Sequence, residues 1–195
     1  VDVSLLKDGR ADFVYKIHYY VSSGQLHGFY LEGISVAPWF DHEGSNAVTA
    51  AGVKYPLDIN SAGSGKWDVI LANGRGFGPG GITYVVHFGG DLALSRNLAK
   101  TQSEFGELVV LHWAPPEWDE ALEHYTVYVH YPIPARGDDI NPDDFGFKTE
   151  KFMNQNYLLS YYGQEHQDES YFTVRVHKNG LAAREEMMIQ QYVPA

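Results

Sequence analysis

Cysteine is absent from the 195 residues of the chain. This absence excludes disulfide frameworks, thiolate zinc sites, iron–sulfur clusters and cysteine nucleophiles. It leaves the compartment open, because cysteine-free domains occur both inside and outside cells. Methionine is scarce as well, with 3 residues against 10 Phe and 14 Tyr, and together with 20 Gly this ratio favours strands and turns over helices.

Positive charge is also in short supply. Lys and Arg together number 14 against 25 Asp and Glu, which gives a formal net charge of -11 with neutral histidines. An acidic surface repels phosphate backbones and anionic headgroups, so we expect no nucleic-acid partner and no polybasic docking to membranes. No apolar run approaches the roughly 18 to 20 residues that a membrane span needs, so we expect no direct membrane insertion by this segment. The ends, without an initiator Met, are those expected of a domain from a longer or processed protein, although a natural mature chain would look the same.

Alternation of apolar and polar residues is the strongest positive signal. Residues 1–5 and 11–21 alternate with a period of two around Lys7-Asp8-Gly9-Arg10, and this pattern predicts a β-hairpin. Further strands are predicted at Ile34–Trp39, Val53–Ile59, Trp67–Ala72, Ile82–Phe88, Leu108–Trp113, Tyr125–Tyr131, Tyr157–Tyr162, Tyr171–His177 and Met187–Val193. A helical turn or two is predicted over Asp91–Gln102 and another over Glu117–Leu122. The fold class expected is therefore all-β: one domain over residues 1–195, an antiparallel β-sandwich of about ten to eleven strands with little helix.

The polar stretch 135–156 is predicted to be a long acidic loop. It contains a candidate set of metal ligands, Asp139, Asn141, Asp143 and Glu150. These residues fall at positions 1, 3, 5 and 12 of a calcium-binding loop. Asp144 stands where such a loop has glycine and Pro142 stiffens the centre, so a solvated acidic loop is the favoured interpretation. Calcium remains the alternative, and no other cofactor is predicted. The Arg-Gly-Asp sequence at 136–138 matches an adhesion signal, but a match of three residues arises often by chance.

Sequence signatures of catalysis are missing. Neither a His-Glu-x-x-His zinc motif nor a Gly-x-Ser-x-Gly nucleophile elbow occurs, and the glycine-rich stretch 73–81 runs into a strand rather than a phosphate-binding helix. The chain is therefore predicted not to be an enzyme. A hydrolase whose carboxylates or histidines converge only in three dimensions is one alternative. A carbohydrate-binding domain is another, with an aromatic platform built from Trp39, Trp67, Trp113 and Trp118.

Several short segments, spread over most of the chain, resemble a known family. They are Val3-Ser4-Leu5-Leu6-Lys7-Asp8-Gly9, the stretch from Leu26 to Ile34, Gly81–Val86, Glu107–Trp113, Trp118-Asp119 and Leu181–Met187. The chain resembles the N-terminal extracytoplasmic domain of the bacterial membrane-protein family called domain of unknown function 2207. Leu31 and Glu32 depart from the basic residue that this family has there. The resemblance implies a secreted β-rich domain tethered by downstream membrane helices, and it implies no activity and no catalytic residue.

These observations predict a non-catalytic extracytoplasmic module. It would be a structural or protein-binding part of a cell-surface or membrane-anchored protein. The edges of an open sheet can recruit a strand from another chain, so the expected partner is a protein, or a second copy of the chain through self-assembly. A sugar ligand belongs to the alternative interpretation.

Overall fold

Fifteen β-strands account for most of the described chain, residues 1–104, 106–166 and 169–195, in this computed structural model. The strands are β1 (Asp2–Leu5), β2 (Arg10–Val21), β3 (Gly28–Leu31), β4 (Trp39–Phe40), β5 (Asn46–Thr49), β6 (Lys54–Gly63), β7 (Lys66–Leu71), β8 (Gly80–Asp91), β9 (Leu98–Ser103), β10 (Gly106–Trp113), β11 (Leu122–Pro134), β12 (Lys148–Thr149), β13 (Leu158–His166), β14 (Glu169–Leu181) and β15 (Ile189–Pro194). The helical elements are α1 (Lys151–Asn156) and 3₁₀ helices at Ala72–Gly74 and Pro142–Phe145. The expectation of a predominantly β chain with little helix is confirmed.

Eleven of these strands form one large sheet. Its order is β13-β14-β11-β1-β2-β8-β5-β6-β7-β3, and β4 pairs with β8 beside this path. Val3 of β1 lies opposite Phe13 of antiparallel β2 on one side and opposite Val129 of parallel β11 on the other. The sheet is therefore mixed, and the expectation of a purely antiparallel arrangement is corrected. Alternation in sequence shows that β1 is a strand but does not say which strands lie beside it.

The large sheet folds back on itself at β6. Residues 54–56 of this strand pair with β5, whereas residues 57–63 pair with β7. The change of partner carries β7 and β3 across the inner face of the sheet. The ring of Phe29 in β3 accordingly lies 5.3 Å from that of Tyr84 in β8 and 5.9 Å from that of Tyr19 in β2.

A second sheet, with the order β12-β15-β10-β9, covers the remaining inner face. Trp113 of β10 lies 5.8 Å from Phe13 of β2 between ring centroids. The hydroxyl of Tyr131 in β11 donates a hydrogen bond of 2.7 Å to Oε1 of Gln191 in β15. Side chains of both sheets belong to a single hydrophobic cluster that extends from Val3 to Ile189.

The predicted elements are confirmed in some places and wrong in others. The first hairpin is confirmed, with Gly9 at a φ of +88° in its turn. The turn predicted within 91–102 is confirmed for residues 92–96, where the N–H of Ser95 donates to the carbonyl of Asp91 at 3.1 Å, but the rest of that segment contains β9. The turn predicted over 117–122 is wrong, because the chain there is irregular up to the start of β11. The strand predicted at 34–39 begins only at Trp39, and the nearby strand lies earlier, in β3.

The stretch 135–156 contributes to the core instead of forming only a solvated loop. It contains the second 3₁₀ helix, β12 and α1, and it buries Ala135, Ile140, Phe147 and Met153. The ring of Phe147 lies 5.0 Å from that of Phe172 and 5.3 Å from that of Tyr131. Four apolar residues spaced through a polar stretch have neither helical nor strand periodicity, which is why the sequence pattern conceals their burial.

Substitution of Phe147 tests this packing. We expect Phe147→Ala to lower the free energy of unfolding by about 3–5 kcal/mol, because the ring is fully buried against two aromatic neighbours. Urea denaturation of the variant and of the exposed control Lys151→Ala measures the difference. A loss for Phe147→Ala no larger than that of the control would contradict the packing.

Candidate functional site

A polar cleft of about 660 Å³ opens where the folded-back strand β3 approaches the second sheet. We call it the seam cleft. Its lining residues are Glu32, Gly33, Ser35, Ser64, Asn97, His112, Ala114, Pro115, Glu117, Asp119, Arg184, Glu186 and Met188. They come from the ends of β3 and β10, from the β6–β7 turn, and from the segments that precede β9, β11 and β15.

One wall of the seam cleft is held close to β3 by a glycine and two prolines. Gly33 adopts a φ of +80° directly after β3, and a Cβ at this position would lie 3.9 Å from the Cα of Pro116. Pro115 and Pro116 are both buried. The ring of Trp118 then packs 5.9 Å from that of Phe29, which fixes this wall against the core.

Arg184 lines the seam cleft beside this wall and has a strained backbone. Its φ of +59° lies in the left-handed region, which costs a residue with a side chain about 1–2 kcal/mol. Its N–H donates to the carbonyl of Trp118 at 2.8 Å, and its Nε donates to Oδ1 of Asp119 at 2.9 Å. Both charged side chains are largely exposed, so this ion pair stabilises the fold by no more than about 1 kcal/mol.

Negative charge predominates in the seam cleft. Four carboxylates face one guanidinium, and only two of them have a cationic partner: Asp119 pairs with Arg184, and Glu32 lies 3.5 Å from the ammonium of Lys66. Glu117 and Glu186 make no hydrogen bond or ion pair with the part of the chain that the structure describes. The cleft can therefore accept hydrogen bonds from ammonium or guanidinium groups, with the modest strength of a solvent-screened site.

The strand β9 leads away from this cleft with one edge uncovered. Asn97, which lines the cleft, directly precedes β9, and its carbonyl accepts a hydrogen bond of 2.8 Å from the N–H of His112 in β10. In an antiparallel pair the backbone groups point alternately toward and away from the partner strand. Those of Lys100 and Gln102 consequently point away from β10, and no backbone group among the described residues bonds to them.

Another long edge strand, β13, is covered. The carbonyl of Tyr161 accepts a hydrogen bond of 3.0 Å from the N–H of Ile140, and the N–H of Gly163 donates to Gly137 at 2.7 Å. A loop that satisfies outward backbone groups is one way in which proteins protect an edge from pairing with another chain. Among the described residues, no loop covers the outer edge of β9 in this way. Its one charged side chain, Lys100, is bonded at 3.1 Å to Glu107 of its own sheet.

The predicted calcium ligands have contacts within the protein. Asp143 forms an ion pair with Lys148, and the Asn141 side chain accepts a hydrogen bond from the N–H of Asp143 at the start of a 3₁₀ helix. Glu150 accepts a hydrogen bond of 2.6 Å from the hydroxyl of Tyr192, and Asp139 is exposed. Within residues 1–104, 106–166 and 169–195, no group of three or more His, Asp or Glu side chains is placed to hold a metal ion. Calcium binding at this loop stays a prediction.

The four tryptophans do not form one platform. Trp113 is buried, Trp118 packs on Phe29, and Trp67 lies 4.8 Å from the ring of Phe40 between the layers. Trp39 alone of the four is exposed, with half of its surface open to solvent. It lies over Gly89 on the outer face of the large sheet, away from the other three.

The sequence did not predict the histidine–threonine hydrogen bonds that join neighbouring strands on the outer face of the large sheet. His18 bonds to Thr83 at 3.0 Å, and two further pairs have the same Nδ1–Oγ1 geometry: His130 with Thr173 at 2.9 Å and His177 with Thr126 at 2.7 Å. Each of these residues occupies an outward position in its strand. The sequence contains that parity but not the identity of the neighbouring strand.

No family model matches the chain, and no curated protein matches it. The resemblance to the family called domain of unknown function 2207 therefore stays a prediction. No helix among the described residues is both long and apolar enough to cross a membrane.

The strain at Arg184 can be measured with two substitutions. Arg184→Ala removes the ion pair with Asp119 and keeps the side-chain penalty, whereas Arg184→Gly removes both. We expect the glycine variant to exceed the alanine variant by about 1 kcal/mol in free energy of unfolding, measured by urea denaturation. Equal stabilities would mean that this backbone conformation carries no strain.

The loss of folding stability at low pH depends in part on the carboxyl group of Asp2. Burial raises the pKa of its carboxyl, but the imidazole of His130, 3.6 Å away, and the nearby charge of Lys16 outweigh burial and hold the pKa below its usual value of 3.8. A lowered pKa in the folded state stabilises the fold fully above the unfolded value, and this contribution is lost as the pH falls through the folded value. We expect Asp2→Asn to lower stability at pH 6 and to lessen the loss below pH 3.8. Parallel pH profiles in urea denaturation would contradict this.

Proposed function

We propose that the chain is a non-catalytic β-sandwich module of a surface or membrane-anchored protein outside the cytoplasm, and that it binds a protein partner by strand addition to β9. The sandwich assignment is supported by two sheets that face each other across one hydrophobic cluster. The extracytoplasmic location is supported by the family resemblance. The uncovered edge of β9 carries the binding function.

Strand addition uses the groups that β9 leaves free. The outward N–H and C=O groups of Lys100 and Gln102 can pair with an extended segment of a partner, and main-chain hydrogen bonds of this kind supply affinity in many peptide-binding domains. An edge lysine normally discourages such pairing. Here the ammonium of Lys100 is already bonded to Glu107, so it does not present an isolated charge to the incoming strand.

The carboxylates of the seam cleft favour a partner strand with positive charge at one end of the β9 edge. Asn97 joins the cleft to β9, so one end of an added strand lies beside the unpaired carboxylates of Glu117 and Glu186. Complementary charge contributes to specificity and association rate more than to affinity. The partner segment is therefore proposed to carry Lys or Arg at the end nearest the cleft.

A proline on the β9 edge tests strand addition. Gln102→Pro removes an N–H that points to solvent, a position where edge strands accept proline, whereas Gln102→Ala keeps the N–H. Peptides selected from a displayed random library on the wild-type chain should bind wild type and Gln102→Ala alike. We expect at least about tenfold weaker binding to Gln102→Pro, equivalent to about 1.4 kcal/mol or one or two hydrogen bonds. Isothermal titration calorimetry measures the affinities.

The fold of the variants, the position of the added strand and the oligomeric state are measured separately. Matching thermal melts for the proline and alanine variants show that the fold survives. Amide shifts at Lys100 and Gln102 on peptide binding locate the added strand. A library that yields no binder, or binders that are insensitive to Gln102→Pro, would overturn strand addition by a partner. Sedimentation that shows dimers lost in Gln102→Pro would instead assign β9 to self-assembly.

A further inference from the structure

The indole of Trp39 lies on the outer face of the large sheet, in a position that only a glycine at residue 89 leaves open. Trp39 lies opposite Gly89 in the β4–β8 pair, and half of its surface is exposed. A Cβ at Gly89 would lie 2.0 Å from Nε1 of the indole, which is closer than any two such atoms can approach. The ring therefore rests directly on the backbone of β8.

The chain around Trp39 is clamped to both faces of the end of β8. Phe40 points inward, 5.5 Å from Phe88 between ring centroids. Val36 occupies the inner side of Gly90, where a Cβ would lie 2.3 Å from its Cγ2. Core packing thus accounts for Val36 and Phe40. It does not account for an aromatic ring that is fixed in position and left half open to water.

Polar groups flank the exposed ring. Asp12 lies directly across from Gly89 in β2, and directly opposed side chains in such a pair have Cβ atoms about 4.5–5.5 Å apart. The Asp12 carboxylate is exposed and makes no hydrogen bond or ion pair with a described residue. It is therefore free to accept hydrogen bonds from a ligand that rests on Trp39.

A second polar group is oriented toward the same surface. His87 lies two residues from Gly89 along β8, and its Nδ1 is 3.1 Å from Oδ2 of Asp41. The other carboxylate oxygen of Asp41 is held by the backbone N–H groups of Glu43 and Gly44. Because the carboxylate of Asp41 can only accept, Nδ1 carries the ring hydrogen, and the neutral imidazole presents its Nε2 as a hydrogen-bond acceptor.

We propose that Trp39 on Gly89, with Asp12 and His87 at its sides, is a binding site for a neutral sugar ring. A pyranose has an apolar face of C–H groups that stacks on an indole, and equatorial hydroxyls that hydrogen-bond to groups beside the ring. The carboxylates of Asp12 and Asp41 disfavour anionic sugars through charge repulsion. A quaternary ammonium ligand is less suited to this site, because its recognition uses a cage of several aromatic rings rather than one.

This inference is independent of strand addition, because the site lies on the outer face of the large sheet and β9 lies at the edge of the second sheet. A single aromatic ring with two polar neighbours is a shallow site. The expected Kd for one oligosaccharide chain is therefore of the order of 1 mM. Several sugar residues of a polymer, or several copies of the module, would raise the apparent affinity.

Nuclear magnetic resonance titration tests the site on the whole chain. The probes are neutral oligosaccharides of glucose, xylose, mannose and N-acetylglucosamine, with glucuronic acid oligomers and tetramethylammonium as comparisons. We expect at least one neutral probe to shift the indole N–H of Trp39 and the backbone amides of Gly89 and Asp12. Trp39→Ala should abolish these shifts. Asp12→Ala should weaken binding about tenfold, as expected for the loss of a hydrogen bond to a charged acceptor.

The control is Tyr20→Ala. This substitution removes an exposed aromatic ring that lies in β2, away from the proposed site, and it should leave sugar binding unchanged. Trp39→Phe keeps an aromatic ring on Gly89 and should retain part of the affinity, which separates loss of stacking from loss of fold. No shift at Trp39 with any neutral probe at tens of millimolar would overturn the proposal. So would stronger binding of tetramethylammonium than of every sugar. Unchanged sugar binding in Gln102→Pro would show that the two surfaces act separately.

Discussion

The large sheet depends on the four residues of β1. On one side of β1 the sheet continues through β2, β8 and β5, and on the other side through β11, β14 and β13. Val3 is fully buried and lies opposite a residue of each half, Phe13 in β2 and Val129 in β11. Because neither half pairs directly with the other, the hydrogen bonds of β1 and the burial of Val3 and Leu5 hold them in one sheet. A parallel and an antiparallel neighbour on the same strand are what make this sheet mixed.

The second sheet stabilises that junction by covering it. Trp113 reaches Phe13 on one side, and Gln191 reaches Tyr131 on the other. Burial raises the pKa of Tyr131 well above its usual value, so its hydroxyl stays neutral and donates to Gln191. A buried hydrogen bond of this kind is lost if β15 shifts by two residues along its axis, because Ile189 or Val193 would then take the place of Gln191 and leave the hydroxyl without an acceptor. The pair therefore favours one alignment of the two layers over neighbouring ones.

Local patterns in the sequence predicted the strands better than their arrangement. The alternation in residues 11–21 and the Gly9 turn were sufficient for the first hairpin, since both are local. The parallel contact between β1 and β11 joins residues more than a hundred positions apart, and no local pattern encodes it. Phe147 was missed for a related reason: its burial depends on Phe172 and Tyr131, which are distant in sequence. The same limit applies to the sites. Trp39 was singled out as one of four similar residues, and only the register of β4 with β8 distinguishes it from the other three.

The Trp39 site lowers the stability of its strand because it requires glycine at position 89, whereas the β9 edge requires no destabilising residue. Glycine in a strand interior weakens the strand, and a β-branched residue at position 89 would pack better on its neighbours. Any such side chain would displace the indole of Trp39, so the strand accepts a local weakness in order to keep that ring on its surface. The edge of β9 requires no comparable sacrifice, because its outward groups are exposed to water whether or not a partner is present. An exposed ring for which the backbone has been specially shaped is therefore the stronger structural indication of a ligand. An open edge shows only that the fold leaves room for one.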